Sequence, residues 1–256
     1  MTPERRPYIA ANWKMWGTRA EAREYCAKLL RLLPDPPRRQ ADVVVCGPFT
    51  ALELLVGELS GAEVGVAAQT MHQEETGAFT GEVSAPMLVE LGVDAVVLGH
   101  SERRRDNAES DRALKEKLPA ALAAGLEPIL CVGESEEERE ADQTERRLRQ
   151  QVQEDIELVP DERLAELVIA YEPVWAIGTG LTATPEQAQE AIAFVRALVG
   201  DRSNQAAERV RILYGGSVKP DNASEILAQP DVDGALVGGA SLDPEAFARI
   251  VAAAAP

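Results

Sequence analysis

Val168-Ile169-Ala170-Tyr171-Glu172-Pro173 is a short apolar run that ends on a carboxylate followed by proline. Four apolar residues rich in β-branched and aromatic side chains read as a strand buried on both faces, and the proline stiffens the backbone where the strand stops. Working outward, seven similar runs recur at 8–11, 42–46, 64–68, 95–98, 128–132, 211–214 and 234–237, each followed by a longer stretch of helical period. That alternation predicts βαβ units. Eight parallel strands can close on themselves, so the fold class expected is α/β, a single (β/α)8 barrel. The chain has 256 residues, close to the ~250 typical of such a barrel. No linker or low-complexity tract divides it, and one domain over 1–256 is expected.

Helix punctuation agrees. Thr18-Arg19-Ala20-Glu21, Ser135-Glu136-Glu137-Glu138 and Thr184-Pro185-Glu186-Gln187 are capping boxes, and Asp243-Pro244 combines a cap with proline at the first helical position. The box at Ser135 is expected to open one long charged helix with a solvated face. Residues 69–86 read as a long polar loop, of the kind that inside compact domains is usually functional or interfacial.

Composition excludes several classes of function. Lys and Arg total 26 against 43 Asp and Glu, a formal charge of −17 that repels polyanions, so no nucleic-acid and no anionic-membrane partner is expected. Aromatics are 4% of residues, too few for a stacking platform. No run approaches the ~18 apolar residues of a membrane span and the first residues lack an apolar signal core, so the expected location is cytoplasmic. Cys26, Cys46 and Cys131 are odd in number and widely spaced, which suits reduced buried thiols better than a disulfide or zinc framework. No metal site is expected, and without a nucleotide-binding glycine motif no cofactor is expected either.

The polar residues of chemical interest fall just after the apolar runs: Asn12 and Lys14, Gln69, His100, Glu134, Glu172, Ser217, then Gly238-Gly239. In a parallel barrel all of these lie on one rim. A partly desolvated Glu172 would be a good general base; the alternative is a surface glutamate at a strand end. If a helical turn starts at Ser101, His100 sits at its positive end, which is expected to lower the ring pKa and keep it neutral. The alternative is a satisfied core histidine. Lys14 is either a buried-stem lysine serving an anion or a snorkelling surface one. His72 has no metal-spaced partner and is given no role. Gly178-Thr179-Gly180, Gly215-Gly216-Ser217 and Gly238-Gly239-Ala240 are glycine turns, and the last two follow the seventh and eighth strands, where barrel phosphate sites usually lie. These residues by themselves argue for proton abstraction beside a carbonyl in a small phosphorylated substrate.

Seven motifs then carry a resemblance over nearly the whole chain. They are Ala11-Asn12-Trp13-Lys14, Gly77-Ala78-Phe79-Thr80-Gly81-Glu82, Gly99-His100-Ser101-Glu102-Arg103-Arg104, Ile129-Leu130-Cys131-Val132-Gly133-Glu134, Tyr171-Glu172-Pro173-Val174-Trp175-Ala176-Ile177-Gly178-Thr179-Gly180, Tyr214-Gly215-Gly216-Ser217-Val218 and Val237-Gly238-Gly239-Ala240. Jointly they resemble the triosephosphate isomerase family, whose fold is the TIM barrel. The resemblance implies a cofactor-free isomerase of glycolysis and gluconeogenesis that interconverts dihydroxyacetone phosphate and D-glyceraldehyde 3-phosphate. It implies that Glu172 shuttles the proton, that neutral His100 polarises the carbonyl, and that Lys14 and Asn12 steady the enediolate. Substrate phosphate would meet Gly178, Ser217, Gly238 and Gly239 beneath a lid over 173–180. Glu102 would support Lys14, and Cys131 would pack behind the base. The 69–86 loop would enter a second subunit to form a homodimer, with Thr80 approaching the partner's site. Thr70 stands where the family commonly has Asn, and Leu181 where the lid hinge often has Lys. The rival readings are another phosphate-binding barrel enzyme, such as an aldolase or sugar-phosphate isomerase, and a non-catalytic protein of the same fold.

Overall fold

Strands that are apolar on both faces must be covered on both, and a closed parallel barrel inside a ring of helices does this. The structure, a computed structural model, describes residues 5–33, 41–177 and 182–254. Its strands are β1 (Tyr8–Asn12), β2 (Asp42–Cys46), β3 (Val64–Ala68), β4 (Ala95–Leu98), β5 (Glu127–Val132), β6 (Val168–Tyr171), β7 (Arg211–Tyr214) and β8 (Gly234–Val237). All pair in parallel with their sequence neighbours, and β1 pairs with β8 to close the barrel. The expected strands are therefore present, β1 and β5 each one residue longer than read from the sequence.

The helices are α1 (Arg19–Leu32), α2 (Phe49–Leu59), α3 (Ala85–Leu91), α4 (Ser101–Asp106), α5 (Asp111–Ala124), α6 (Glu136–Glu140), α7 (Thr144–Asp155), α8 (Pro185–Gly200), α9 (Asn204–Arg209), α10 (Ala223–Leu227) and α11 (Pro244–Ala253). The three capping boxes form, at α1, α6 and α8, and Asp243 caps α11. Two boundaries differ from expectation. The single helix expected after Ser135 is broken into α6 and α7, with Asp142 in the left-handed region at φ 54. The acidic run supplies helix propensity but only one tight turn of it is capped, and the amphipathic part that packs begins later, burying Leu148, Gln151 and Val152. The 69–86 loop ends early because Ala85 and Pro86 already belong to α3, where proline is tolerated in the first turn.

Alternation along each strand makes two cores. Tyr8, Ala10, Val44, Cys46, Ala67, Ala95, Val97, Ile129, Cys131, Val168, Ala170, Leu213 and Leu236 form one buried cluster, the filled barrel interior. Their neighbours, such as Ile9, Val43, Val45, Val96, Leu130 and Ile169, join the larger cluster under the helices. Closure depends on the lower rim. Asp233 accepts from the Ile212 N–H at 2.8 Å, pairs with Arg196 and Arg5 at 2.6 Å each, and its carbonyl accepts from the Tyr8 N–H at 2.9 Å. A buried carboxylate so fully partnered ties β7, β8 and β1 together.

Beside it, Tyr8 lies opposite Gly234, and a Cβ built on Gly234 would sit 1.9 Å from the Tyr8 carbonyl oxygen. Backbone cannot retreat there without opening the barrel. Gly234→Ala is therefore expected to destabilise by about 1–3 kcal/mol or more, a fall of roughly 2–12 °C in Tm for a chain of this size. A thermal melt followed by circular dichroism measures it, and an unchanged Tm would show that β1 and β8 close without this contact.

Candidate active site

The interior positions of β1, β6, β7 and β8 continue with period two onto Asn12, Glu172, Gly215 and Gly238. These therefore point inward where the strands end. With Lys14, His100, Ser217 and Gly239 they line a cavity of about 500 Å³ at the C-terminal mouth of the barrel. Asn12, His100 and Glu172 are buried, Glu172 to 2% exposure.

Glu172 is held from three sides. Its Oε1 lies 2.9 Å from His100 Nε2, its Oε2 accepts from the Ser101 N–H at 2.8 Å, and its own N–H donates to the Val132 carbonyl at 2.7 Å. Gly133 is required beside it, since a Cβ there would fall 1.7 Å from the Glu172 carbonyl oxygen. Burial pushes the Glu172 carboxyl up. His100, the Ser101 N–H and the Lys14 charge outweigh burial and hold it below the usual carboxylate value.

His100 caps α4, which begins at Ser101 as expected, and its Nδ1 accepts from the Glu102 N–H at 3.2 Å. With Nδ1 an acceptor, the neutral ring carries its hydrogen on Nε2 and donates it to Glu172. The expected lowering of the ring pKa is corrected for this arrangement. Burial does act in that direction, but the Glu172 carboxylate against Nε2 outweighs it and raises the pKa above the ordinary imidazole value. Sequence spacing locates the helix end and not the carboxylate 72 positions away.

Lys14 has φ 56, a left-handed backbone that its surroundings impose. Asn12 Oδ1 accepts its N–H at 3.1 Å, and Gln69 Nε2 donates to its carbonyl and to that of Cys46, both at 2.9 Å. Lys14 Nζ then lies 2.6 Å from Glu102 Oε1, the supporting contact expected of Glu102. Gln69, noted in the sequence only as a rim residue, thus shapes the loop carrying Lys14. Cys131 is fully buried on the inward face of β5, and burial, with Glu172 adding to it, raises its thiol well above the usual value.

On the far side, Gly215, Gly216, Ser217, Gly238 and Gly239 form the cavity wall with Ala176 and Ile177. Glycine is demanded at 216, where a Cβ would lie 2.2 Å from the Tyr214 hydroxyl oxygen. Gly178 and Leu181 lie outside the described residues, as does the end of the expected lid. Its start is anchored: Trp175 Nε1 donates to Glu134 Oε1 at 2.9 Å, Tyr171 donates to the same oxygen at 3.0 Å, and Arg139 stacks on the Trp175 ring at 4.4 Å. Glu134 is accordingly buried in the wall rather than in the cavity. Thr80 sits in an exposed arm, and Thr70 donates to the buried Glu109 at 3.2 Å. His72, given no role, stacks on Phe79 with ring centroids 4.0 Å apart. Lys219, which no motif of the sequence marks for a role, also lines the cavity.

A carboxylate base, a hydrogen-bond donor, a lysine and glycine turns around one cavity suit proton transfer on a small phosphate ester. Comparison with known proteins agrees. The sequence profile described as Triosephosphate isomerase matches residues 7–254. A protein named Triosephosphate isomerase from Symbiobacterium thermophilum is 53% identical over 256 residues, 98% of each chain. One of the same name from Moorella thermoacetica is 52% identical over 96% of this chain and 98% of its own, and one from Rubrobacter xylanophilus 49% over 99% of each. With the family profile matched along almost its whole length and half its residues shared with these relatives, this chain belongs to the triosephosphate isomerase family.

Proposed function

We propose that Glu172 is the base, His100 the neutral hydrogen-bond donor, and Lys14 with Asn12 the charge-steadying pair, in the reaction this chain catalyses, the interconversion of dihydroxyacetone phosphate and D-glyceraldehyde 3-phosphate. The observation that carries the reading is the buried contact between Glu172 and His100 at 2.9 Å inside the cavity. Glu172 leaves the Ser101 N–H and takes a proton from the carbon next to the carbonyl. The electron pair moves onto the carbonyl oxygen, and the Nε2–H of His100 and the Lys14 ammonium face the charge that develops there. Return of the proton to the neighbouring carbon, with a hydroxyl proton exchanged between the two oxygens through His100, completes the isomerisation. Ser217, Gly238, Gly239 and Gly178 are assigned to the phosphate, and the lid over 173–180 to excluding water from the enediolate. A Schiff-base aldolase is not favoured, because Lys14 is charge-paired to Glu102 at the rim.

A homodimer and a cytoplasmic location belong to the same reading. Met15 is 92% exposed, Trp16 64%, Met87 51% and Phe79 45%, apolar surface on the loop after β1, on the arm carrying Thr80 and on α3. A second copy covering it would bring Thr80 toward the partner's Asn12 and Lys14. Free, buried Cys26, Cys46 and Cys131 suit a reducing compartment.

Three outcomes are expected. Glu172→Gln keeps the shape of the base and should leave the fold and KM within a few-fold while kcat falls by ~10³ or more, since a positioned base contributes about 10²–10⁴ and has no stand-in here. A coupled assay with glyceraldehyde 3-phosphate reads this, and turnover within tenfold of the parent overturns the assignment. In the complex with a phosphate-bearing enediolate mimic, where Glu172 turns from the ring to the ligand, the ¹⁵N shifts of His100 should report a neutral ring from pH 6 to 9. A cationic ring there would rule out the neutral donor. Light scattering should give twice the chain mass, and deleting the arm at 75–81 should give monomers with kcat reduced by ~10² or more; a fully active monomer would remove the partner's arm from the site.

A further inference from the structure

Lys219 follows the Gly215-Gly216-Ser217 turn and lines the substrate cavity from an exposed position. The other four lysines are each tied to a carboxylate: Lys14 to Glu102 at 2.6 Å, Lys28 to Glu24 at 2.8 Å, Lys115 to Glu157 at 2.7 Å, and Lys117 to Glu109. Among the described residues Lys219 has no such partner, in a chain with 43 acidic residues against 26 basic ones. Its backbone is well fixed. The Asn222 side chain accepts from the Lys219 N–H at 2.7 Å and donates to the Ser217 carbonyl at 3.0 Å, and the Ala223 N–H donates to the Lys219 carbonyl at 3.0 Å. The turn that presents Ser217 therefore also sets where Lys219 leaves the chain.

The charges around the cavity are few enough to count. Among the described residues its ionisable lining is Lys14, Lys219, Glu172 and His100. Lys14 is offset by Glu102, and because His100 Nδ1 accepts the Glu102 N–H its ring is neutral in this arrangement, so among the described residues the Glu172 carboxylate is offset by Lys219 alone. Without Lys219 the mouth is net negative within a molecule of charge −17. A phosphate monoester is close to a dianion at neutral pH, its second pKa being about 6, so it would meet repulsion at every approach. We propose that Lys219 is a capture residue, an unpaired cation at the cavity mouth that draws the phosphate end of the substrate onto the glycine turns and so sets the encounter rate rather than the chemistry. The proposal rests on the reading of this cavity as the triose phosphate site. An exposed rim charge acts chiefly on association and on its salt dependence.

The test compares kcat and kcat/KM for the parent, Lys219→Gln, Lys219→Glu and Lys219→Arg at low and high salt, with Lys28→Gln as a control that changes net charge equally on α1. At about 20 mM salt the screening length is about 20 Å, and at about 0.5 M it is about 4 Å. Lys219→Gln should lower kcat/KM about three- to tenfold at low salt and less than about twofold at high salt, with kcat within about twofold of the parent. Lys219→Glu should lose more, Lys219→Arg should restore the parent value, and Lys28→Gln should follow the parent throughout. Parental kcat/KM in Lys219→Gln at low salt overturns the proposal. So does a loss that persists undiminished at high salt or falls in kcat, since either marks a structural or transition-state role. Absence of isomerase activity in the parent would instead overturn the reading of the cavity itself.

Discussion

Closure of β1 onto β8 is the constraint on which the rest of the molecule depends. A parallel sheet left open would expose two edges, and here the last strand meets the first through Tyr8 opposite Gly234 with Asp233 knotted beneath them. Because every strand runs the same way, closure also gathers all eight strand ends onto one rim. Residues 12, 100, 172, 217 and 238 are far apart in the chain and line one cavity for that reason alone.

The cavity then resolves a conflict of charges. Burying a carboxylate is costly unless it is well partnered, and Glu172 receives an imidazole, a backbone N–H from the first turn of α4, and the field of Lys14. Such partners keep the buried carboxylate ionised. Lys14 in turn is held by its pairing with Glu102 and by a backbone that Asn12 and Gln69 force into the left-handed region. A site of this kind is preorganised by hydrogen bonds between segments, and the strain at Lys14 is carried by the packed rim around it.

Legibility of the sequence follows the range of the interactions concerned. Capping at Thr18, Ser135 and Thr184 depends on residues three apart, and each box forms where its spacing places it. The break between α6 and α7 was hidden, because what ends α6 is the absence of an apolar face there and the packing of Leu148 and Val152 further on. Glu134 reads as one more rim carboxylate, yet it is turned into the wall by Arg139 nearby and by Tyr171 and Trp175, two partners 37 and 41 positions away that no local pattern joins to it. The ring of His100 likewise has its pKa pulled down by burial and raised beyond it by a glutamate that follows a strand 72 positions away.

What the sequence determined by itself was periodic and local: eight doubly apolar runs, the helices between them, and the polar or glycine residue after each run, because burial on both faces and the hydrogen bonds of caps act within a few residues. The resemblance of its motifs likewise pointed to the right family before any geometry was known. Tertiary structure decided which of those residues share the cavity, which are turned into the wall, and how far each ionisable group is shifted. Coulombic and desolvation effects depend on separations of a few ångströms in space, and separation along the chain does not fix them.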